Sequence, residues 1–121
     1  MSIEGINPLH YPAQRSFCES VITAGNTLSQ AIKLSGLHMV AVQRPAGLNI
    51  MNLSFEVSKN GVDWLPLRDA DNTLITLTIT NEAAHQRLAN IMDFEGADYV
   101  RLVADSTLNA DATFTIVLAN I

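Results

Sequence analysis

The sequence predicts an all-β domain, an antiparallel β-sandwich of jelly-roll-like type with seven or eight strands and an extended N-terminal arm. Three observations predict it. Apolar and polar residues alternate with period two in several short runs, turn-forming residues separate those runs at regular spacing, and one segment alone shows helix-like spacing. Residues 1–19 contain Pro8, Pro12 and no sustained period, so they read as the arm, and residues 20–121 as the sandwich. A chain of 121 residues is one domain's length, and folding at that size buries roughly two-thirds of the unfolded surface, enough for a core without staples.

Taken in order, "TLSQAIKL" places Leu28, Ile32 and Leu34 in phase, Ser35-Gly36 turns the chain, and "HMVAVQ" is a short, mostly apolar strand ended by Arg44-Pro45-Ala46-Gly47. Leu53, Phe55 and Val57 then alternate with Ser54, Glu56 and Ser58, the signature of a strand with one wet and one buried face. Asn60-Gly61 supplies two residues that tolerate positive φ in a tight hairpin turn, and Val62 to Leu67 reads as the returning strand. Pro66 cannot donate to a ladder, so that strand runs at a sheet edge or ends there. Trp64 lies on this arm beside Leu65, Pro66 and Leu67 and is expected to plug one end of the core. The competing reading makes its ring a stacking platform for a sugar, with Asp63 and Arg68 nearby.

"NTLITLTIT" sets Ile75, Leu77 and Ile79 against Thr76, Thr78 and Thr80, a clean strand alternation. In "NEAAHQRLANIMD", residues 81–93, Ala83, Ala84, Arg87, Leu88 and Met92 have good helix propensity, and Leu88 and Met92 stand one turn apart. The segment is a short helix, or an irregular connection with a strand-like piece over residues 87–92. "DYVRLVAD" and "ATFTIVLAN" are two more strands, which read as a terminal hairpin through "DSTLNAD". The expected core is Phe55, Val57, Ile75, Leu77, Ile79, Phe114, Ile116 and Leu118.

The chain shows no motif that carries chemistry. His10, His38 and His85 are scattered without ligand spacing, apart from Glu82 before His85, so neither a metal nor a cofactor is expected. Cys18 stands alone, and a small, buried, apolar role suits it better than that of a nucleophile. Asp69 and Asp71 alternate in "RDADN", but the glycine, the later oxygen ligands and the closing glutamate of a calcium loop are absent, so a polar turn is expected. There is no nucleophile elbow, phosphate loop, dinucleotide turn or paired-cysteine motif, and no catalytic residue is assigned. The seven basic residues are spread singly and the net charge is −5, which argues against a nucleic-acid partner. No apolar run approaches the roughly 20 residues of a membrane helix, and "MSIEGINPLHYPAQR" has no secretion-signal pattern, so synthesis in the cytoplasm is expected.

Only 16% of residues are charged, against about a quarter in an average soluble domain, so the surface is sparsely charged, as in proteins that cover part of it with neighbours. The order of parts points the same way. Gln43-Arg44-Pro45-Ala46 ends a strand, the "SFEVSKNGVDWLPL" hairpin follows, and Asp93-Phe94-Glu95-Gly96-Ala97-Asp98-Tyr99-Val100-Arg101-Leu102 comes after it. Over about residues 28 to 118 this order resembles small tailed-phage virion proteins, with Asn60 standing where the family hairpin has Asp or Asn. The resemblance implies a non-enzymatic particle protein, a capsid decoration or cement protein that binds the major capsid protein and copies of itself on the exterior of the virion. A homotrimer suits the local three-fold sites of such a shell. A tail or baseplate component, or a carbohydrate-binding adhesion module, would share the composition. Partner contacts are expected from the arm, at Ile6, Pro8, Leu9, Tyr11, Arg15 and Phe17, and from the loop residues Arg44, Pro45, Leu48 and Asn49.

Overall fold

Alternation along the sequence becomes two facing antiparallel sheets in the computed structural model, which describes residues 15–90, 94 and 96–120. The described residues form nine strands and no α-helix: β1 Arg15–Ile22, β2 Ile32–Lys33, β3 His38–Arg44, β4 Asn52–Ser58, β5 Leu65–Pro66, β6 Thr76–Thr78, β7 Ala84–Arg87, β8 Tyr99–Ala104 and β9 Ala112–Ala119. One sheet is ordered β1-β9-β3-β7. The other is β2-β8-β4-β5, with β6 also paired to β4. Because β8 pairs with β4 from Leu53 to Ser58, β5 and β6 share the opposite edge of β4.

The core lies between the sheets. Phe55 pairs with Leu102 across β4 and β8, while on β9 Phe114 faces Ser20 of β1 and Ile116 sits between Cys18 and Val42. Phe55, Leu53, Leu102, Phe114 and Ile116 are all but fully buried. Phe94 meets Phe55 edge-on, with ring centroids 5.3 Å apart. In β3 the apolar run "HMVAVQ" does not alternate, and the ladder accommodates it with a bulge: Val117 pairs with Ala41 but Leu118 with Met39, leaving Val40 unpaired with β9. The extra residue lets Met39 and Val42, three apart, both point into the core.

Several expectations change. The strand count is nine because the edges break into two- and three-residue pieces; ahead of β2, Ser29 replaces ladder bonds, its N–H donating to Leu102 O at 3.0 Å and its Oγ accepting from Leu102 N–H at 2.8 Å. Leu28, expected in phase with Ile32, pairs with Val103 as an isolated bridge and is exposed. The arm drawn to residue 19 loses its last five residues to β1, which lies along β9; residues 1–14 lie outside the described residues. The terminal hairpin does not form. β8 has its two edges filled by β2 and β4, and β9 by β1 and β3, so residues 105–111 cross from one sheet to the other. In the segment with helix propensity, Ala84–Arg87 instead pairs with β3, Ala84 opposite Arg44 and Arg87 opposite Ala41. Four ladder positions outweigh differences in propensity of a few tenths of a kcal/mol per residue. Of the expected core, Val57 and Ile75 are only half-buried, since both lie beside the short edge strands.

Pro66 occupies an edge, as its missing N–H requires. Ser35 and Gly36 turn the chain with φ of 54° and 80°, and Leu37 N–H donates to Leu34 O at 2.9 Å. Replacing Phe114, which is fully buried, with Ala is expected to cost about 3–5 kcal/mol in chemical denaturation; an unchanged midpoint would remove it from the core.

Candidate functional site

The β4–β5 connection carries the most structured surface. The expected tight turn at Asn60-Gly61 is instead a longer loop over residues 59–64, and Asn60 acts through its side chain rather than through positive φ. Asn60 Oδ1 accepts from Val62 N–H at 2.8 Å and Asp63 N–H at 2.9 Å, while Nδ2 donates to Asp63 Oδ2 at 2.9 Å. Ser58 Oγ accepts from Asn60 and Gly61 N–H at 3.2 and 2.8 Å. Gly61 alone in the loop takes positive φ, 78°, and lies against the ring of Tyr99.

This loop carries Trp64 across the outer face of β4. Glu56 and Arg101 are register partners on that face, and Glu56 Oε1 accepts from Arg101 Nε at 2.7 Å and Nη2 at 2.6 Å. The guanidinium so held lies 4.3 Å from the centroid of the Trp64 ring. Trp64 is therefore half-buried outside the sandwich and does not plug the core, because residues two apart on β5 share a face and Pro66 lies opposite the outward Glu56. A cation on an aromatic face contributes about 0.5–1 kcal/mol where exposed. Sequence reasoning missed Arg101 and Glu56; the alternation placing both opposite the core residues Phe55 and Leu102 was the signal that held them.

Val57 and Leu65 are register partners at this end of β4 and β5 and share the inner face. An open cleft of about 430 Å³ lies there, floored by Val57, Leu65, Leu67 and Ala97 and rimmed by Lys59 and Asp63. Leu65 is 69% exposed.

The expected contact residues separate into three groups. Ile6, Pro8, Leu9 and Tyr11 lie outside the described residues. Arg15 and Phe17 are exposed on β1, Phe17 at 61%. Pro45, Leu48 and Asn49 come together in a groove of about 280 Å³ with Leu108, Asn109 and Asp111, where Asn49 Nδ2 donates to Thr107 O at 2.9 Å and Oδ1 accepts from Asn109 N–H at 3.2 Å. Arg44 is held internally. Its Nε donates to Glu82 O at 2.9 Å, Nη2 to Thr80 Oγ1 at 3.0 Å, and Nη1 to Gln86 Oε1, so it fastens the β6–β7 connection.

Asp69 Oδ1 accepts from Asp71 and Thr73 N–H, both at 2.9 Å, which makes "RDADN" a polar turn. Among the described residues no three His, Cys, Asp or Glu side chains gather as a metal site would require, and no helix is long and apolar enough to cross a membrane. His85 Nδ1 lies 2.9 Å from Gln43 Nε2, its cross-strand partner, and His38 Nδ1 is buried with no hydrogen-bond partner among the described residues. Cys18 is half-buried on β1 and packs against the core, and burial pushes its thiol above the ordinary value.

No family model matches the sequence, and no curated protein does. Among solved structures, the crystal structure of the SPBc2 prophage-derived protein YomS matches with a TM-score of 0.60 at 8% identity, over 93% of this chain and 99% of that one. At this identity the likeness is one of fold.

Two outcomes follow from this geometry. Arg101→Met is expected to shift Trp64 emission to the red, increase its quenching by acrylamide and lower stability by about 1 kcal/mol; unchanged fluorescence would show that the guanidinium does not cover the ring. A raised thiol pKa means less thiolate at any given pH, so Cys18 is expected to react with a disulfide reagent at pH 8 more slowly than a free small thiol, with a rate still rising above pH 9.

Proposed function

We propose that this chain is a non-enzymatic structural protein of a tailed-phage virion, and more narrowly a capsid decoration protein that steadies the shell exterior through contacts with the major capsid protein and with copies of itself. The observation that carries the reading is the near end-to-end likeness in fold to a prophage-derived protein. Support comes from the surface: charge is sparse, and Phe17, Met51, Val62 and Leu65 are each more than half exposed. Such side chains distributed around a rigid sandwich suit attachment at several points, and once one subunit of an oligomer docks, the others bind at high effective concentration. With Arg44 held internally, the shell-facing contacts are assigned to residues 1–14 and to Pro45, Leu48 and Asn49, and the oligomer is proposed to be a homotrimer made in the host cytoplasm.

A second reading, a carbohydrate-binding module, draws on one observation: Trp64 stands half-buried on the outer face of the sheet against Arg101. The Arg101 guanidinium lies over the Trp64 ring, which leaves the opposite face for a sugar.

An occupancy map of purified particles, with the full-length chain and with residues 1–14 deleted, tests the proposal. Copies arrayed over the shell, with occupancy reduced by the deletion, are expected. Copies confined to the tail would overturn the capsid assignment, undiminished occupancy would overturn the arm's role, and Trp64-dependent binding on a glycan array would favour the second reading.

A further inference from the structure

Asn60-Gly61, at the turn of the β4–β5 connection, is the one Asn-Gly pair in the sequence. Asparagine before glycine is where the main chain most readily attacks a side chain, because glycine has no Cβ to obstruct its nitrogen and bends at little steric cost. The attack needs only this chain and water. Gly61 N gives up its proton and bonds to Asn60 Cγ, the Cγ–Nδ2 bond breaks, and Nδ2 leaves as ammonia with that proton. Water then opens the imide. Cleavage at Cγ yields aspartate, and cleavage at the Asn60 main-chain carbonyl carbon yields isoaspartate.

The folded loop holds each atom of that reaction in another role. Gly61 N–H, whose proton has to leave first, donates to Ser58 Oγ at 2.8 Å. Ser58 is only 5% exposed, so the far end of that bond is closed to solvent base. The same hydroxyl accepts from Asn60 N–H at 3.2 Å and donates to Asn60 Oδ1 at 3.0 Å. Oδ1 also accepts from Val62 and Asp63 N–H, and the departing nitrogen Nδ2 donates to Asp63 Oδ2 at 2.9 Å. Closing the ring sets Gly61 N where Nδ2 stood about Cγ, so Oδ1 has to swing away from its donors. The bonds from Gly61 N–H and from Nδ2 are lost outright. Donors on Oδ1 would favour charge developing there, but only for a carboxamide already released from this arrangement.

We propose that Asn60-Gly61 is a latent self-modification site, and that the Ser58-Asn60-Asp63 network is the latch that keeps it closed while the loop is folded. Reaction goes through the opened loop, so its rate follows local opening rather than the intrinsic reactivity of the pair. Conversion alters the surface that carries Trp64. Aspartate puts a carboxylate where Nδ2 met Asp63, a repulsive pair, and isoaspartate adds Cβ to the main chain of the loop. The inference is independent of the proposed function, since it concerns the loop itself whichever partner the surface meets.

The test follows Asn60 in the full chain at mildly alkaline pH, by peptide mapping with mass spectrometry and by isoaspartyl methyltransferase labelling. The folded wild type is expected to convert about tenfold or more slowly than the same chain unfolded in guanidinium. Ser58→Ala and Asp63→Ala each open one end of the latch, and both are expected to convert several times faster than the wild type while staying folded by circular dichroism. Equal rates in the folded and unfolded wild type, or no acceleration in either variant, would overturn the latch. Should Ser58→Ala unfold, Asp63→Ala decides alone, because that carboxylate is on the exposed loop and leaves the core intact. Asn60→Gln, whose ring would have six members, is expected to abolish the product. Isoaspartate persisting in Asn60→Gln at the wild-type rate would place the reaction at another asparagine and overturn the site.

Discussion

The fold depends on the phase of β9. Its inward residues Ala112, Phe114, Ile116 and Leu118 form the seam between β1 on one side and β3 on the other, and every residue of the first sheet is placed by that alternation. β1 follows it without interruption. β3 cannot, because its apolar residues come in a run, and the bulge at Val40 restores the phase so that Met39 and Val42 both reach the core. A one-residue slip without that bulge would turn one of them to solvent. The second sheet mirrors the arrangement with β4 as its seam, where Leu53 and Phe55 face inward and Glu56 faces outward to hold Arg101 over Trp64.

The period-two runs of β4 and β9 identified the class and most of the core, since a half-buried strand writes its two faces directly into sequence. What that pattern leaves open is the partner of each strand. "DYVRLVAD" and "ATFTIVLAN" are neighbours in sequence and read as a hairpin, yet each has both edges occupied by other strands. Residues 84–87 have helix formers and become a strand because β3 offers an open ladder and Arg44 draws Gln86 toward it. Trp64 was expected inside on its apolar neighbours; its face is set by its phase relative to Pro66, and the loop before it is longer than a two-residue turn. Of the expected contacts, the loop residues Pro45, Leu48 and Asn49 do converge, whereas the half-buried Arg44 spends its guanidinium on Glu82, Thr80 and Gln86, a pairing that no local pattern encodes.

Polar side chains finish what short ladders leave undone. Asp105 accepts from Met51 and Asn52 N–H at 3.3 and 3.1 Å, Asp111 from Ala24 N–H at 2.8 Å, and Ser29, Ser58, Asn60 and Asp69 take further backbone groups. Each meets an N–H that irregular backbone would otherwise leave unpaired. This chain's few acidic groups thus serve the loops as much as solvent, which keeps two- and three-residue edge strands in place and leaves much of the outer surface to threonine and apolar side chains.

The crossing of residues 105–111 between the sheets bears on the order in which the protein is built. β9 separates β1 from β3, so during synthesis the first sheet lacks its central strand until the chain has been made through Ala119. Until then, among the described residues, β1 and β3 have no strand partner except β7, which pairs with β3 alone. The β4, β5, β6 and β8 portion can associate earlier, since its strands precede β9 in the chain. A ribosome-bound chain therefore carries one sheet's worth of unmatched strand edges, and closure waits on contacts between segments nearly a chain length apart, the slow class of topology.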